Sequence, residues 1–218
     1  MEFDRIYAEV DLGRIEENMK AMKEHLRPGT KMYGVVKTDA YGHGAVPVAR
    51  TIDRFVCGYA VATVDEGLKL RRHGIEKEIL CLGPVSAGRY QECLENDISL
   101  PMFEYRRAKE LSDAAVAEGK TAKIHIAVDT GMSRIGLFPD EGSVETVKEI
   151  AELPALRIAG MFTHFARADE ADKTKAGEQY RRFHAFCDAG KAAGVEVPVC
   201  HCSNSAGIAE IREANMDM

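Results

Sequence analysis

The feature that most constrains the fold is a regular alternation of short apolar segments with amphipathic helical segments. Seven runs rich in apolar and β-branched residues predict strands. They cover residues 32–36, 57–61, 79–82, 98–102, 124–128, 158–162 and 197–202. Strands that alternate with helices and are apolar on both faces are typical of parallel sheets. We therefore expect an α/β protein in which one parallel sheet is covered by helices.

Two architectures accommodate seven strand–helix units: a doubly wound open sheet and a (β/α)8 barrel. No GxGxxG follows the first strand, which disfavours the dinucleotide-binding form of the open sheet. Seven units are also one fewer than a closed barrel needs. An alternating segment at residues 6–10 and an amphipathic helix at 12–26 precede the first unit. No linker interrupts the rhythm, so one domain covering residues 1–218 is expected.

Composition and charge exclude several classes of function. The 218 residues are 45% hydrophobic and 29% charged, which is ordinary for a soluble globular protein. The net charge of -6 and the lack of a dense basic cluster disfavour a nucleic-acid partner. No apolar run reaches the roughly 18 residues that a membrane span needs, and the first residues do not resemble a secretory signal. We expect a cytoplasmic protein.

Six cysteines raise the question of disulfides or a metal site. Cys57, Cys81, Cys200 and Cys202 lie in apolar strand-like runs, where cysteine behaves as a small hydrophobic residue. The Cys200-His201-Cys202 triplet lacks a second Cys/His pair at ligand spacing. We therefore expect buried thiols rather than a zinc site.

Residues able to do chemistry follow the predicted strands, where α/β proteins place their active sites. Lys37 ends the first strand in VVKTDAYGHG, and partial desolvation there favours the neutral amine that attacks an aldehyde. A lone lysine at a strand end more often simply extends into solvent. Arg134 in DTGMSRIG follows the fifth strand and offers a planar cation to a phenolate or carboxylate. Its alternative role is a structural ion pair with Asp129 or another carboxylate.

Two more strand ends complete the set. His164 follows the sixth strand, either facing a ligand or hydrogen-bonded in the core. Asn204 and Ser205 in HCSNSAG begin a helix after the seventh strand, where free backbone amides attract anions. An ordinary N-cap is the alternative for this segment. An amine, a cationic donor, a histidine and an anion site on one rim suit a phosphorylated aldehyde such as pyridoxal 5'-phosphate (PLP).

The motifs VVKTDAYGHG, DTGMSRIG, THF and HCSNSAG resemble those of the alanine racemase family in content, order and spacing. The resemblance extends over nearly the whole chain, from about residue 7 to residue 218. It implies a PLP-binding, TIM-like (β/α)8 barrel with about seven of the eight strand–helix units present. It also implies that a C-terminal β-rich domain lies outside these residues.

The resemblance assigns roles to individual residues. Lys37 is implied to form the Schiff base with PLP and to act as one of two catalytic bases. The remaining cofactor contacts are implied for Tyr41, Ser205 and Asn204 at the phosphate, Arg134 at the phenolic oxygen and His164 beside the ring. Ala127 departs from the pattern of those family members that carry a carbamylated lysine at this position to orient the arginine.

Family members interconvert L-alanine and D-alanine, supply D-alanine for peptidoglycan and work as head-to-tail homodimers. Their second base is a tyrosine of the partner subunit's β-rich domain, and an arginine expected just beyond Met218 addresses the pyridine nitrogen. We therefore expect the 218 residues to bind PLP but to have little or no racemase activity. Two alternatives stay open: a racemase of another small amino acid such as serine, and a non-catalytic PLP carrier.

Overall fold

A curled parallel sheet of seven strands forms the centre of the computed structural model, which describes residues 6–218. The strands are β1 (Tyr33–Val35), β2 (Gly58–Val61), β3 (Glu78–Cys81), β4 (Ile98–Met102), β5 (Ala122–Ala127), β6 (Leu156–Phe162) and β7 (Cys200–His201). Each strand pairs in parallel with its neighbour in the sequence, in the order β1 to β7. The chain therefore forms a TIM-like α/β barrel with seven of the eight units, as expected.

Helices precede the sheet and connect its strands. They are α1 (Leu12–His25), α2 (Lys37–Tyr41), α3 (Ala45–Ile52), α4 (Val64–Arg72), α5 (Tyr90–Glu95), α6 (Tyr105–Ala117), α7 (Glu141–Ala151), α8 (Thr174–Ala192) and α9 (Ser205–Glu210). Among residues 6–218, no helix is both long and apolar enough to span a membrane. The predicted amphipathic helix at 12–26 is confirmed as α1, which ends at His25, shortly before Pro28.

The core lies between the helices and the sheet. Leu111 of α6, Ile150 of α7 and Phe183 of α8 are completely buried, as are Ile124 and Ile126 of β5. These residues belong to one continuous apolar cluster. Burying a side chain of this size stabilises a fold by about 1.5–3 kcal/mol. The helix–sheet interface is therefore the main source of stability for the rim that carries the functional residues.

Three local expectations need correction. The seventh strand is only two residues long, since Pro198 within the predicted run has no backbone N–H to donate to a neighbouring strand. Cys57 is exposed rather than buried, because it precedes β2 instead of lying in it. Residues 6–10 form no regular secondary structure. Cys81, Cys200 and Cys202 are buried, as predicted.

The two outer strands curl toward each other. The rings of Tyr33 on β1 and His201 on β7 lie 6.3 Å apart between centroids. Asp217 links the same two edges, because its carbonyl accepts a hydrogen bond from the Lys31 amide at 2.8 Å and its own amide donates to the Cys200 carbonyl at 3.2 Å. Within residues 6–218, no further strand follows β7. Because all seven strands are parallel and the sheet is curled, their carboxyl ends lie together at one rim.

Candidate functional site

The candidate cofactor-binding residues lie in segments that follow the carboxyl ends of strands. Lys37 comes two residues after β1, and His164 comes two residues after β6. Arg134 lies in the loop that follows β5, while Asn204 and Ser205 follow β7. Because all seven strands run in the same direction, these positions share one rim.

Lys37 begins an unusual helical segment. Residues Thr38, Asp39 and Ala40 have φ between 52° and 54° and ψ between 46° and 47°, and Tyr41 has a φ of 55°. They therefore form one left-handed turn, which costs about 1–2 kcal/mol per non-glycine residue. The turn places the Lys37 Nζ atom 5.9 Å from the centroid of the Tyr41 ring, within cation–π range. The ring itself is exposed on the rim.

Arg134 is carried by a loop that Asp129 shapes. The Asp129 carboxylate accepts hydrogen bonds from the amides of Gly131 at 3.0 Å and Ser133 at 2.9 Å. A Cβ atom added at Gly136 would lie 2.5 Å from the Asp129 amide nitrogen. Only glycine therefore fits where the end of the loop packs against its beginning. Asp129 therefore caps the loop rather than pairing with Arg134. Among residues 6–218, Arg134 forms no ion pair and its side chain is exposed.

His164 lies close enough to Lys37 and Arg134 for their charges to affect its pKa. Its ring is accessible to solvent, yet partial desolvation lowers its pKa, and the positive charges of Arg134 and Lys37 lower it further. Each of these charges is near enough to disfavour the protonated imidazole. The structure thus brings Lys37, Arg134 and His164 into one cationic cluster on an otherwise acidic protein.

Asn204 and Ser205 begin α9 beside this cluster. The Asn204 side chain accepts a hydrogen bond from the Gly207 amide at 2.9 Å, which is the N-cap role anticipated as the alternative. Ser205 is exposed. A Cβ added at Gly207 would lie 3.3 Å from the Phe165 ring, so α9 packs closely against the residue that follows His164. Within residues 6–218, no hydrogen bond or ion pair joins Asn204 or Ser205 to the cationic cluster.

Ala127, at the end of β5, is almost completely buried. Its carbonyl accepts a hydrogen bond from the Leu137 amide at 2.9 Å, which closes the base of the Arg134 loop. The small side chain leaves no polar group at this position to orient the guanidinium. The shape of the loop, rather than a lysine at residue 127, sets where Arg134 lies.

A buried polar cluster lies below the rim, inside the curled sheet. His125 Nδ1 and His201 Nε2 are 3.0 Å apart, and His125 Nε2 lies 3.5 Å from a Glu78 carboxylate oxygen. Burial opposes ionisation of Glu78, but the neighbouring His125 ring and hydrogen bonds from Tyr33 and Ser99 lower its pKa to about 2. Desolvation first, and His125 second, lower the pKa of His201.

Two further residues contact the rim, and the sequence pattern does not identify them as site residues. Glu66 accepts a hydrogen bond from the Thr38 amide, next to Lys37. Gln179, on α8, donates to the His164 carbonyl at 3.1 Å and to Thr130 Oγ1 at 3.2 Å. The sequence Thr-x-x-Glu before α4 does signal a capping box. The sequence pattern does not signal the hydrogen bonds that Glu66 and Gln179 make from their helices to the rim.

Fold and site together define a TIM-like α/β barrel protein with a cationic site at the carboxyl ends of its strands. Comparison with known proteins identifies the family. The family described as "Alanine racemase, N-terminal domain" matches residues 10–218. The chain therefore belongs to the alanine racemase family, which confirms the resemblance seen in its motifs.

Individual relatives give the same result. The chain is 44% identical to an alanine racemase of Clostridium novyi, over 95% of its own length and 54% of the relative's. It is 40% identical to one from Methanococcus maripaludis, over 98% and 57% of the two lengths. The solved structure of an alanine racemase from Clostridium difficile 630 superposes with a TM-score of 0.93 at 36% identity, covering 95% of this chain and 55% of that one. The chain thus spans about half the length of these relatives.

Proposed function

We propose that this chain is the cofactor-binding part of an alanine racemase and that Lys37 holds PLP covalently. The observation that carries the proposal is the convergence of Lys37, Arg134 and His164 at one rim in a member of this family. In this proposal residues 1–218 are an N-terminal barrel domain that lacks the last barrel strand. The substrate is alanine, as the names of the relatives suggest.

The groups on the rim fit the functional groups of PLP. Lys37 supplies a primary amine for the aldehyde, and Arg134 supplies a planar donor free to meet the phenolic oxygen. Ser205 offers a hydroxyl group and a backbone amide at the start of α9 for the phosphate, with Tyr41 as a further exposed hydroxyl. Asn204 Oδ1 is occupied by the cap, so its contribution is to shape this site. The positive charges of Lys37 and Arg134 complement an anionic cofactor.

When bound, PLP acidifies the α-carbon of an amino acid by delocalising the charge left after proton loss. Lys37, freed once the substrate's amino group takes its place on the aldehyde carbon, would accept a proton from the substrate's α-carbon at Nζ and so serve one face of the substrate. Arg134 would hold the cofactor through a charged hydrogen bond. His164, whose pKa is lowered, stays mostly neutral at pH 7 and would pack beside the cofactor without adding a third positive charge.

The remaining parts of the activity are proposed from the family alone. A second base, a tyrosine of the partner subunit in a head-to-tail homodimer, would serve the opposite face. A β-rich domain and an arginine directed at the pyridine nitrogen would follow residue 218. In that complete form the enzyme would supply D-alanine for peptidoglycan in the cytoplasm. Without the second base, the 218-residue chain would bind PLP but racemise alanine poorly.

Trapping of the cofactor tests the first part of the proposal. We expect borohydride reduction of the protein with PLP to fix one phosphopyridoxyl group on Lys37, identified by peptide mass spectrometry. Lys37→Ala should abolish the label, while Lys20→Ala, a matched change at an exposed lysine on α1, should leave it intact. Labelling at other lysines, or none in folded wild-type protein, would show that Lys37 does not hold PLP.

Substrate assays of the complete protein test the second part. Circular dichroism or a chiral assay should detect racemisation of L-alanine at a higher kcat/KM than that of L-serine. A preference for serine would identify a racemase of another amino acid. PLP binding without racemisation of any small amino acid would support the carrier alternative instead.

A further inference from the structure

The left-handed turn after Lys37 needs support from outside itself. Its four residues, 38–41, are all non-glycine, and each is in a backbone region that L-amino acids disfavour. Such conformations persist only where surrounding contacts over-determine them. The turn's own backbone hydrogen bonds include Ala40 N to Val36 O at 2.9 Å and Gly42 N to Thr38 O at 3.1 Å. Other contacts must therefore help to hold it.

Glu66 supplies one of these contacts. Its Oε1 atom accepts a hydrogen bond from the Thr38 amide at 2.7 Å, directly after Lys37. Its Oε2 atom accepts one from the Ala62 amide at 2.7 Å and another from Thr63 at 3.3 Å, where β2 ends. A capping box alone requires only the bond to the N-cap amide. One carboxylate thus connects the start of α4, the end of β2 and the turn that carries Lys37.

A second contact from the same helix supports the turn. Lys69 follows Glu66 by one helical turn and therefore lies on the same face of α4. Its ammonium group donates to Asp39 Oδ1 at 2.8 Å, and the same oxygen accepts from the Ala45 amide at 2.9 Å. Both side chains of the Lys69–Asp39 pair are about half exposed, so the pair contributes little energy. Glu66, in contrast, accepts hydrogen bonds through both carboxylate oxygens.

We infer that Glu66 is a positioning residue, which holds the left-handed turn so that Lys37 presents its amine to the aldehyde of the cofactor. The inference rests on the proposed role of Lys37. Both carboxylate oxygens are needed, because one faces the Thr38 amide and the other faces the amides at the end of β2. A glutamine has only one acceptor oxygen and would set its NH2 group against an N–H donor on one of the two sides.

Comparison of two variants tests this role in the complete protein, which is first freed of cofactor and then mixed with PLP. Thr63→Ala removes the other half of the α4 capping box, the bond from the Glu66 amide to Thr63 Oγ1, but keeps the carboxylate. Glu66→Gln impairs both the cap and the contact with Thr38. We expect Glu66→Gln to slow borohydride-trapped labelling of Lys37 by PLP at least tenfold, and Thr63→Ala to change it less than twofold. Melting temperatures measured in parallel separate positioning from loss of folding.

The outcomes separate the two proposals. If wild-type protein is labelled on Lys37 and the glutamine variant matches Thr63→Ala, the role of Glu66 is refuted while the role of Lys37 stands. If wild-type protein is not labelled on Lys37, the proposed function fails instead. Should the glutamine variant not fold, hydrogen exchange of the wild type decides: slow exchange of the Thr38 amide supports the contact, and exchange at the rate of an open loop overturns it.

Discussion

At the scale of single residues, Gln179 shows how much one buried amide contributes to the rim. Its Nε2 atom donates to the His164 carbonyl and to Thr130 Oγ1, and its Oε1 atom accepts from the Ala166 amide at 2.9 Å. The side chain is almost completely buried. It therefore joins the loop that carries Arg134 to the loop that carries His164.

Replacing Gln179 by methionine, which has a similar length, should destabilise the protein by about 2 kcal/mol. The physical reason is that the partly buried His164 carbonyl and Ala166 amide, together with the buried Thr130 hydroxyl, lose their hydrogen-bond partner. The free energy of unfolding in urea measures the effect. Glu178→Ala, an exposed neighbour on α8, is the control and should change stability by less than about 0.5 kcal/mol. Equal effects of the two changes would contradict the structural role of Gln179.

At the scale of secondary-structure elements, the helices hold the rim by packing on the sheet. α6 shows the contrast between its two faces: Leu111 has 0% of its surface exposed and Val116 has 53%. Leu111 therefore lies on the face of α6 that packs into the core. The strand ends that carry Arg134 and His164 depend on such packing for their spacing.

Leu111→Ala should lower the free energy of unfolding by about 2–5 kcal/mol, because it leaves a cavity in a fully packed core. Val116→Ala on the same helix is a matched truncation at an exposed site and should cost less than about 1 kcal/mol. Chemical denaturation of the two variants and the wild type measures the difference. A Leu111 variant as stable as the Val116 variant would mean that α6 does not pack as described.

At the scale of the whole molecule, the buried polar cluster of His125, His201 and Glu78 makes the stability of the fold depend on pH. The folded protein keeps the Glu78 carboxylate ionised down to a pKa of about 2, below its usual 4.5. It keeps His201 neutral at pH values well below the usual 6.5. Between the lowered pKa of each group in the folded protein and its usual pKa, the unfolded chain binds more protons than the folded one. Stability therefore decreases as the pH falls through these ranges.

We expect the free energy of unfolding to decrease below about pH 6.5 through His201 and further below about pH 4.5 through Glu78. Urea denaturation from pH 8 to pH 3 measures the profile. His201→Gln should remove part of the first decrease, and Glu78→Gln should remove part of the second. Profiles of the variants that run parallel to the wild type throughout would show that the cluster does not produce the pH dependence.

Much of this architecture was predictable, because it depends on local pattern. Apolar runs and helical spacing identified all seven strands, and the strand-end rule placed Lys37, Arg134 and His164 on one rim. The length of β7 was overestimated because Pro198 was not weighed against the apolar run around it. The option of an Arg134–Asp129 pair failed because a short side chain such as aspartate can satisfy nearby backbone amides instead.

The sequence by itself determined the parallel α/β fold and the family, and it predicted Lys37 as the residue that holds an aldehyde cofactor. Those properties follow from residue types and short spacings along the chain. Only the tertiary structure decided how Lys37 is held, since the Glu66 contact joins residues 28 positions apart and the His125–His201 pair joins residues 76 apart. The physical reason is that a hydrogen bond between distant segments depends on where folding places both partners, and local sequence pattern carries no record of that geometry.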